Sequence, residues 1–125
     1  MKQSSPAQPT LADLLETTSQ RSDTRCCFLL WVRPEKLAEY VDVHQRVWDS
    51  MRDALSESGW RNYSLFLRPA TGMIVGYFEA DDTQAAIDAM GKTAINATWQ
   101  AEMAQYFVQP DGGTNEYLSQ YFYLA

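Results

Sequence analysis

The stretch Cys26-Cys27-Phe28-Leu29-Leu30-Trp31-Val32, closed by Arg33-Pro34, decides the fold. An unbroken apolar run of this length, stopped by a charge and a proline, is the signature of a strand buried in the middle of a sheet. Downstream of it the period changes. Pro34 suits a first helical position, and Leu37, Tyr40, Val41, His44, Val47, Trp48, Met51 and Leu55 recur at helical spacing. This pattern predicts one long amphipathic helix running to Gly59, where a left-handed residue would close it.

Trp60 to Arg68 alternates as a strand, Pro69-Ala70-Thr71-Gly72 is a turn, and Met73 to Glu79 returns as a second strand, which together predict a hairpin. Asp81, Asp82 and Thr83 offer caps for a helix through Ala85, Ala86, Ile87, Ala89 and Met90, and Asn96 to Phe107 predicts another. Gln109-Pro110-Asp111-Gly112-Gly113 breaks the pattern, and the aromatic run Tyr117 to Leu124 predicts a last strand. The order β-α-β-β-α(α)-β is an α+β, ferredoxin-like split βαβ arrangement: an antiparallel sheet with helices on one face. The other face needs a cover, and a second copy is the simplest one, so a homodimer packed sheet to sheet, a dimeric α+β barrel, is expected.

The domain occupies residues 25–125. Residues 1–24, rich in Ser, Thr, Gln and Pro, read as a flexible N-terminal extension, in which Leu11, Leu14 and Leu15 after Thr10 would make a helix too short to be stable alone. The chain's 125 residues are the size of one domain, and 46% hydrophobic content with 21% charged residues is ordinary for a packed core. The net charge of -6 argues against a nucleic-acid partner, which calls for a cationic footprint. No apolar run approaches the roughly 20 residues of a membrane span, and the N-terminus lacks a secretion pattern, so a cytoplasmic protein without membrane contact is expected. The 2 cysteines are the neighbours Cys26 and Cys27, which point to opposite faces of a strand and read as reduced thiols. With a single histidine and no CxxC, no metal site is expected.

That histidine, His44, lies inside the apolar stripe of the first helix, one turn after Tyr40 and one turn before Trp48, while Glu39, Asp42, Gln45, Arg46, Asp49 and Arg52 occupy the other faces. Such an imidazole is either a satisfied core group or a titratable group in a pocket. Tyr63 and Trp99 are further amphipathic aromatics, and an aromatic wall with a few polar tips suits a sugar ring, though the same residues would also fill a core. A Cys26–His44 nucleophile pair is disfavoured, since an apolar strand raises a thiol pKa. Asp81-Asp82 reads as a helix cap, and Gly112-Gly113, which follows a helix, reads as a loop and not a phosphate cradle.

Taken together, Glu39-Tyr40, His44, Val47-Trp48, Gly59, Asn62-Tyr63 and Tyr121-Phe122-Tyr123-Leu124 resemble the L-rhamnose mutarotase family, over roughly Cys26 to Leu124. The resemblance implies a small homodimeric α+β barrel that interconverts the α and β anomers of L-rhamnose, or a related 6-deoxy sugar, with no cofactor. It implies His44 as the catalytic proton donor and Tyr40, Tyr63 and Trp99 as sugar contacts, with Trp48 beside them. Gln100 stands where many relatives carry a second tryptophan, an amide in place of an apolar platform that would bear on which monosaccharide is bound. Two other readings accompany it: a non-catalytic ligand-binding module, and a small dimeric monooxygenase of similar fold in which His44 would ligate haem.

Overall fold

In the computed structural model, which describes residues 8–108 and 115–125, a four-stranded antiparallel sheet of order β2-β3-β1-β4 is formed by β1 (Arg25–Trp31), β2 (Arg61–Arg68), β3 (Met73–Glu79) and β4 (Glu116–Tyr117). β1 pairs with β3 from Arg25↔Glu79 to Trp31↔Met73, so the apolar run is a central strand as its composition predicts. The hairpin β2–β3 turns through Gly72, whose φ of 75° and whose approach to the Val32 carbonyl leave no room for a Cβ. The architecture is the ferredoxin-like α+β one.

The helical layer is α2 (Leu37–Val43), α3 (Asp49–Glu57), α4 (Thr83–Gly91) and α5 (Ala94–Met103). Asp82 accepts from the Ala85 amide and Thr93 from the Asn96 amide, so side-chain oxygens satisfy the first free donors of α4 and α5. Met51, Ala54, Met90, Trp99 and Met103 pack with Val32 and Ile74, and Phe78, wholly buried, packs with Phe28 and Ala86. All of this core lies on one face. On the other, Cys27, Leu29 and Trp31 of β1 and Met73, Val75 and Tyr77 of β3 stay half-buried, and Phe66 of β2 is 62% exposed.

Two expectations are corrected. The helix predicted from Pro34 to Gly59 is two helices: α2 ends at Val43, a 3-10 turn takes His44–Arg46, and Val47 and Trp48 are extended (ψ 134° and 138°) before α3. Local side-chain bonds accompany the break: the His44 imidazole donates to the Tyr40 carbonyl at 2.8 Å, which also accepts from the His44 backbone N–H, and the Gln45 amide donates to the Val41 carbonyl at 2.9 Å. The apolar period survives this break, which is why it reads as continuous.

The strand predicted from Tyr117 to Leu124 is only the two-residue β4, after which residues 118–125 carry no regular structure. Tyr121, Phe122 and Leu124 are 72%, 64% and 80% exposed, having nothing within one copy to cover. This tail is tethered by the Tyr123 amide donating to Gln20 Oε1 at 3.1 Å and by Arg25 lying 3.8 Å over the Tyr123 ring. Before β1, a two-turn helix, α1 (Leu11–Thr17), carries a capping box between Thr10 and Asp13, with Leu11 and Leu14 exposed. The expected break at Gln109–Gly113 lies outside the described residues. Among the described residues no helix is long and apolar enough to cross a membrane.

Candidate functional site

A cavity of about 780 Å³ opens between the sheet and the helices. Its floor is Phe28, Tyr63 and Phe78 of the sheet with Trp60, and its sides include His44, Met51, Met90, Trp99 and Gln100. Phe28 has its place because position 76 is glycine: a Cβ there would run into the Phe28 ring.

His44 is brought to the cavity by the break between α2 and α3. Its ring stacks on Tyr40 at 4.2 Å and 19° and meets the edge of Trp99 at 5.5 Å and 86°. Because a carbonyl only accepts, the bond to Tyr40 places the proton of the neutral ring on Nδ1 and leaves the Nε2 lone pair without a partner among the described residues. Burial lowers the His44 pKa from its ordinary value, and the bond to the Tyr40 carbonyl raises it by less. The resting group is therefore a neutral imidazole with a free basic nitrogen.

Tyr40 is 3% exposed and does not line the cavity; it backs the His44 ring, its own edges held by Tyr106 and Phe107 at 5.8 Å, and burial pushes its hydroxyl up to about 12. Tyr106 is in turn fixed by donating to Glu39 at 2.9 Å. Trp48 is also outside the lining and supports Trp99 edge-on at 4.9 Å and 88°. Of the six residues singled out in the sequence, the structure thus places His44, Tyr63, Trp99 and Gln100 on the cavity surface and Tyr40 and Trp48 behind it.

Tyr63 reaches the cavity through a β-bulge. Arg61 pairs with Glu79, yet Ser64, three residues on, pairs with Tyr77, two residues back. With regular pairing Tyr63 would oppose Tyr77 and face away from the helices; the extra residue turns it over. Asn62 makes this possible by adopting φ 50°, a left-handed conformation that asparagine tolerates, with its amide donating to Glu79 Oε1 at 2.6 Å. Tyr77 donates to the other Glu79 oxygen at 2.6 Å, and the two bonds hold that carboxyl below its usual pKa range. Sequence reading recorded Asn62 as part of a motif but not this role; its signal was an asparagine where the strand alternation slips. The Tyr63 hydroxyl, at the desolvated end of a ring that is 39% exposed, is raised in pKa chiefly by burial and stays protonated.

The polar rim consists of Gln45, Arg52, Ser56, Asn62, Asn96, Gln100 and Asn115, in which Gln100 donates to Asn96 Oδ1 at 3.2 Å. Among the described residues no aspartate or glutamate lines the cavity, and no cluster of three His, Cys, Asp or Glu side chains could hold a metal ion. Cys26 is not in the lining, and burial pushes its thiol up to about 11, so it offers no thiolate to His44 at neutral pH. What the described lining presents is one proton-accepting nitrogen, aromatic faces, neutral hydrogen-bonding groups and the Arg52 side chain: equipment for moving a proton on a hydroxyl-bearing ring.

The family model for L-rhamnose mutarotase matches residues 25–124. The L-rhamnose mutarotase of Tolumonas auensis is 33% identical over 105 residues, which is 81% of this chain and 98% of that protein. Among solved structures, the L-rhamnose mutarotase of Formosa agariphila superposes with a TM-score of 0.68 at 20% identity, over 81% of this chain and 98% of that one. A dimeric ferredoxin-like protein from an uncultured marine organism does so with a TM-score of 0.54 at 13% identity, over 77% and 90%. At these identities the two structures speak for the fold.

Proposed function

The chain belongs to the L-rhamnose mutarotase family, a family of carbohydrate isomerases, and from that premise we propose that it interconverts the α and β anomers of L-rhamnose or a related 6-deoxy sugar, with His44 moving the proton. The observation that carries the mechanism is a desolvated, neutral imidazole lining the cavity, its Nε2 without a partner and the lining without a carboxylate among the described residues. Nε2 takes the proton of the anomeric hydroxyl as the C1=O bond forms and the bond from C1 to the ring oxygen breaks. The ring oxygen leaves as an alkoxide and takes the proton back from Nε2. Rotation about C1–C2 and the same steps in reverse give the other anomer, and the histidine ends neutral. One nitrogen serves both halves because both oxygens sit on the anomeric carbon. It is a base first and a donor second.

Trp99 and Tyr63 supply faces for the apolar side of the ring, the Tyr63 hydroxyl a donor, and the Gln100–Asn96 amide pair a donor and acceptors for ring hydroxyls. Tyr40 and Trp48 hold His44 and Trp99 in position. General acid–base catalysis of this kind contributes about 10²–10⁴-fold, enough for a reaction that already proceeds in water, and calls for no cofactor. Family membership favours this activity over a binding module or a monooxygenase. We further infer a homodimer in which a second copy covers the half-exposed apolar face of the sheet, an assembly supported by the dimeric neighbour of the same fold.

The test is saturation-transfer NMR on L-rhamnose at anomeric equilibrium. Exchange between the two anomeric proton signals is expected to speed up in proportion to enzyme concentration; exchange unchanged from buffer alone refutes the activity.

A further inference from the structure

One lining residue remains unused by the reaction. Arg52, exposed on α3 one turn before Ser56, is the single formally charged side chain among the described residues that line the cavity. The chain carries 16 acidic against 10 basic residues, yet no acid among the described residues lies there. Arg46 bridges Asp42 at 2.7 Å and Arg61 bridges Asp81 at 3.0 Å, whereas the chain's other arginines form no ion pair among the described residues. Among the described residues Arg52 has neither an ion pair nor a side-chain hydrogen bond; its backbone amide donates to the Trp48 carbonyl, which anchors it at the start of α3. A cavity whose described lining carries one arginine and no carboxylate has the charge pattern of an anion site, in which a planar, bidentate donor meets a carboxylate or a phosphate. The volume of about 780 Å³ lies within the roughly 300–1,000 Å³ of sites that take drug-sized ligands. That exceeds what a lone 6-deoxy sugar fills and leaves space for a charged substituent.

Resting on the mutarotase reading above, we propose that this cavity also takes aldoses bearing an anionic oxygen group, a C6 carboxylate or a phosphate ester, and that Arg52 recognises the charge while His44 acts on the anomeric carbon. The Gln100–Asn96 pair would read the hydroxyls of such a sugar as it does those of the neutral one.

Three sugars of one ring stereochemistry separate the possibilities: L-rhamnose, L-mannuronate and L-mannose 6-phosphate, which differ only at C6. Anomeric exchange is measured by NMR for each with the wild-type protein, Arg52→Gln and Arg52→Lys, at low and high salt. The expected result is a kcat/KM for at least one anion roughly tenfold above that for L-rhamnose. That advantage shrinks as salt screens the charge, collapses in Arg52→Gln, and is partly kept in Arg52→Lys. Preference for the uronate identifies a carboxylate, and preference for the ester a phosphate. Acceleration of L-rhamnose alone, or an anion preference that Arg52→Gln retains, overturns the proposal and leaves the mutarotase reading intact. No acceleration of any sugar overturns both. Should Arg52→Gln fail to fold, the salt response of the wild-type protein decides, and an anion preference indifferent to salt counts against Arg52.

Discussion

Along β3 the side chains have two destinations. Ile74, Gly76 and Phe78 are buried beneath the helices, while Met73, Val75, Tyr77 and Glu79, one residue out of step, stay half-exposed on a face that no helix covers. β1 divides in the same way, Phe28 inward and Cys27, Leu29 and Trp31 outward. The inward face is interrupted: Gly76 withholds a side chain, Phe28 lies over the vacancy, and the Asn62 bulge turns Tyr63 in, so the layer holds a cavity. On the outward face apolar side chains predominate between the charged residues at its ends, with the C-terminal aromatics exposed close by. A period-2 strand thus serves two purposes at once, a site on one side and an assembly surface on the other.

If the two faces are independent, variants should affect one without the other. The largest effect is expected from His44→Ala, which removes the chain's one imidazole from the cavity surface: accelerated exchange between rhamnose anomers should fall by about 10²–10⁴-fold, read by saturation transfer, while sedimentation shows an unchanged assembly. A variant that keeps its rate would assign the proton transfer elsewhere. Next in size is Leu29→Asp on the outward face, opposite Val75. A carboxylate buried without a partner costs about 3–5 kcal/mol, so the dimer dissociation constant should rise on the order of 10²–10³-fold or more. Analytical ultracentrifugation checks this, and exchange activity per protomer should persist. Activity lost together with the dimer would mean that the site needs its partner copy.

A smaller change probes the residue that assigns Tyr63 to its face. Asn62→Val places a β-branched side chain at φ 50°, and left-handed backbone costs roughly 1–2 kcal/mol for such a residue. Thermal unfolding should register that loss, and KM for the sugar should rise more than kcat falls as Tyr63 moves. Asn62→Gly, free of the backbone cost, should recover most of both. Equal damage from glycine would locate the role of Asn62 in its bond to Glu79 instead.

The sheet was legible in the sequence because its signals are local: an apolar run, an alternating hairpin, a glycine turn. What escaped was whatever side chains do to the backbone. The stripe from Leu37 to Leu55 keeps its period across the Val47–Trp48 break, so periodicity alone cannot see that His44 and Gln45 occupy the carbonyls behind them. The last strand was overread since the aromatic composition of Tyr117–Leu124 signals burial, and nothing within one copy buries it. Four of the six chosen residues meet on the cavity surface. Tyr40 and Trp48 stand one layer back, Tyr40 stacked behind His44 and Trp48 edge-on against Trp99, packing that spacing cannot register.

The smallest predicted effect is a displacement in pH, and its sign distinguishes two uses of the same histidine. His44 is depressed below the ordinary imidazole value of about 6.5 by burial. If neutral Nε2 begins the reaction, kcat/KM should be flat near neutrality and fall on the acid side, with a midpoint below that ordinary value. If imidazolium were the starting form, the rate would rise as pH falls through the same window. Stability should follow the same titration: below the unfolded pKa the unfolded chain gains a proton that the folded chain resists, so acidification favours unfolding until the folded pKa is passed. His44→Gln should lose less stability than the wild-type protein between neutral pH and mildly acidic pH, measured as the difference in Tm across that range. An equal loss in the two proteins would show that the ring is solvated, and would remove the reason for treating it as a resting base.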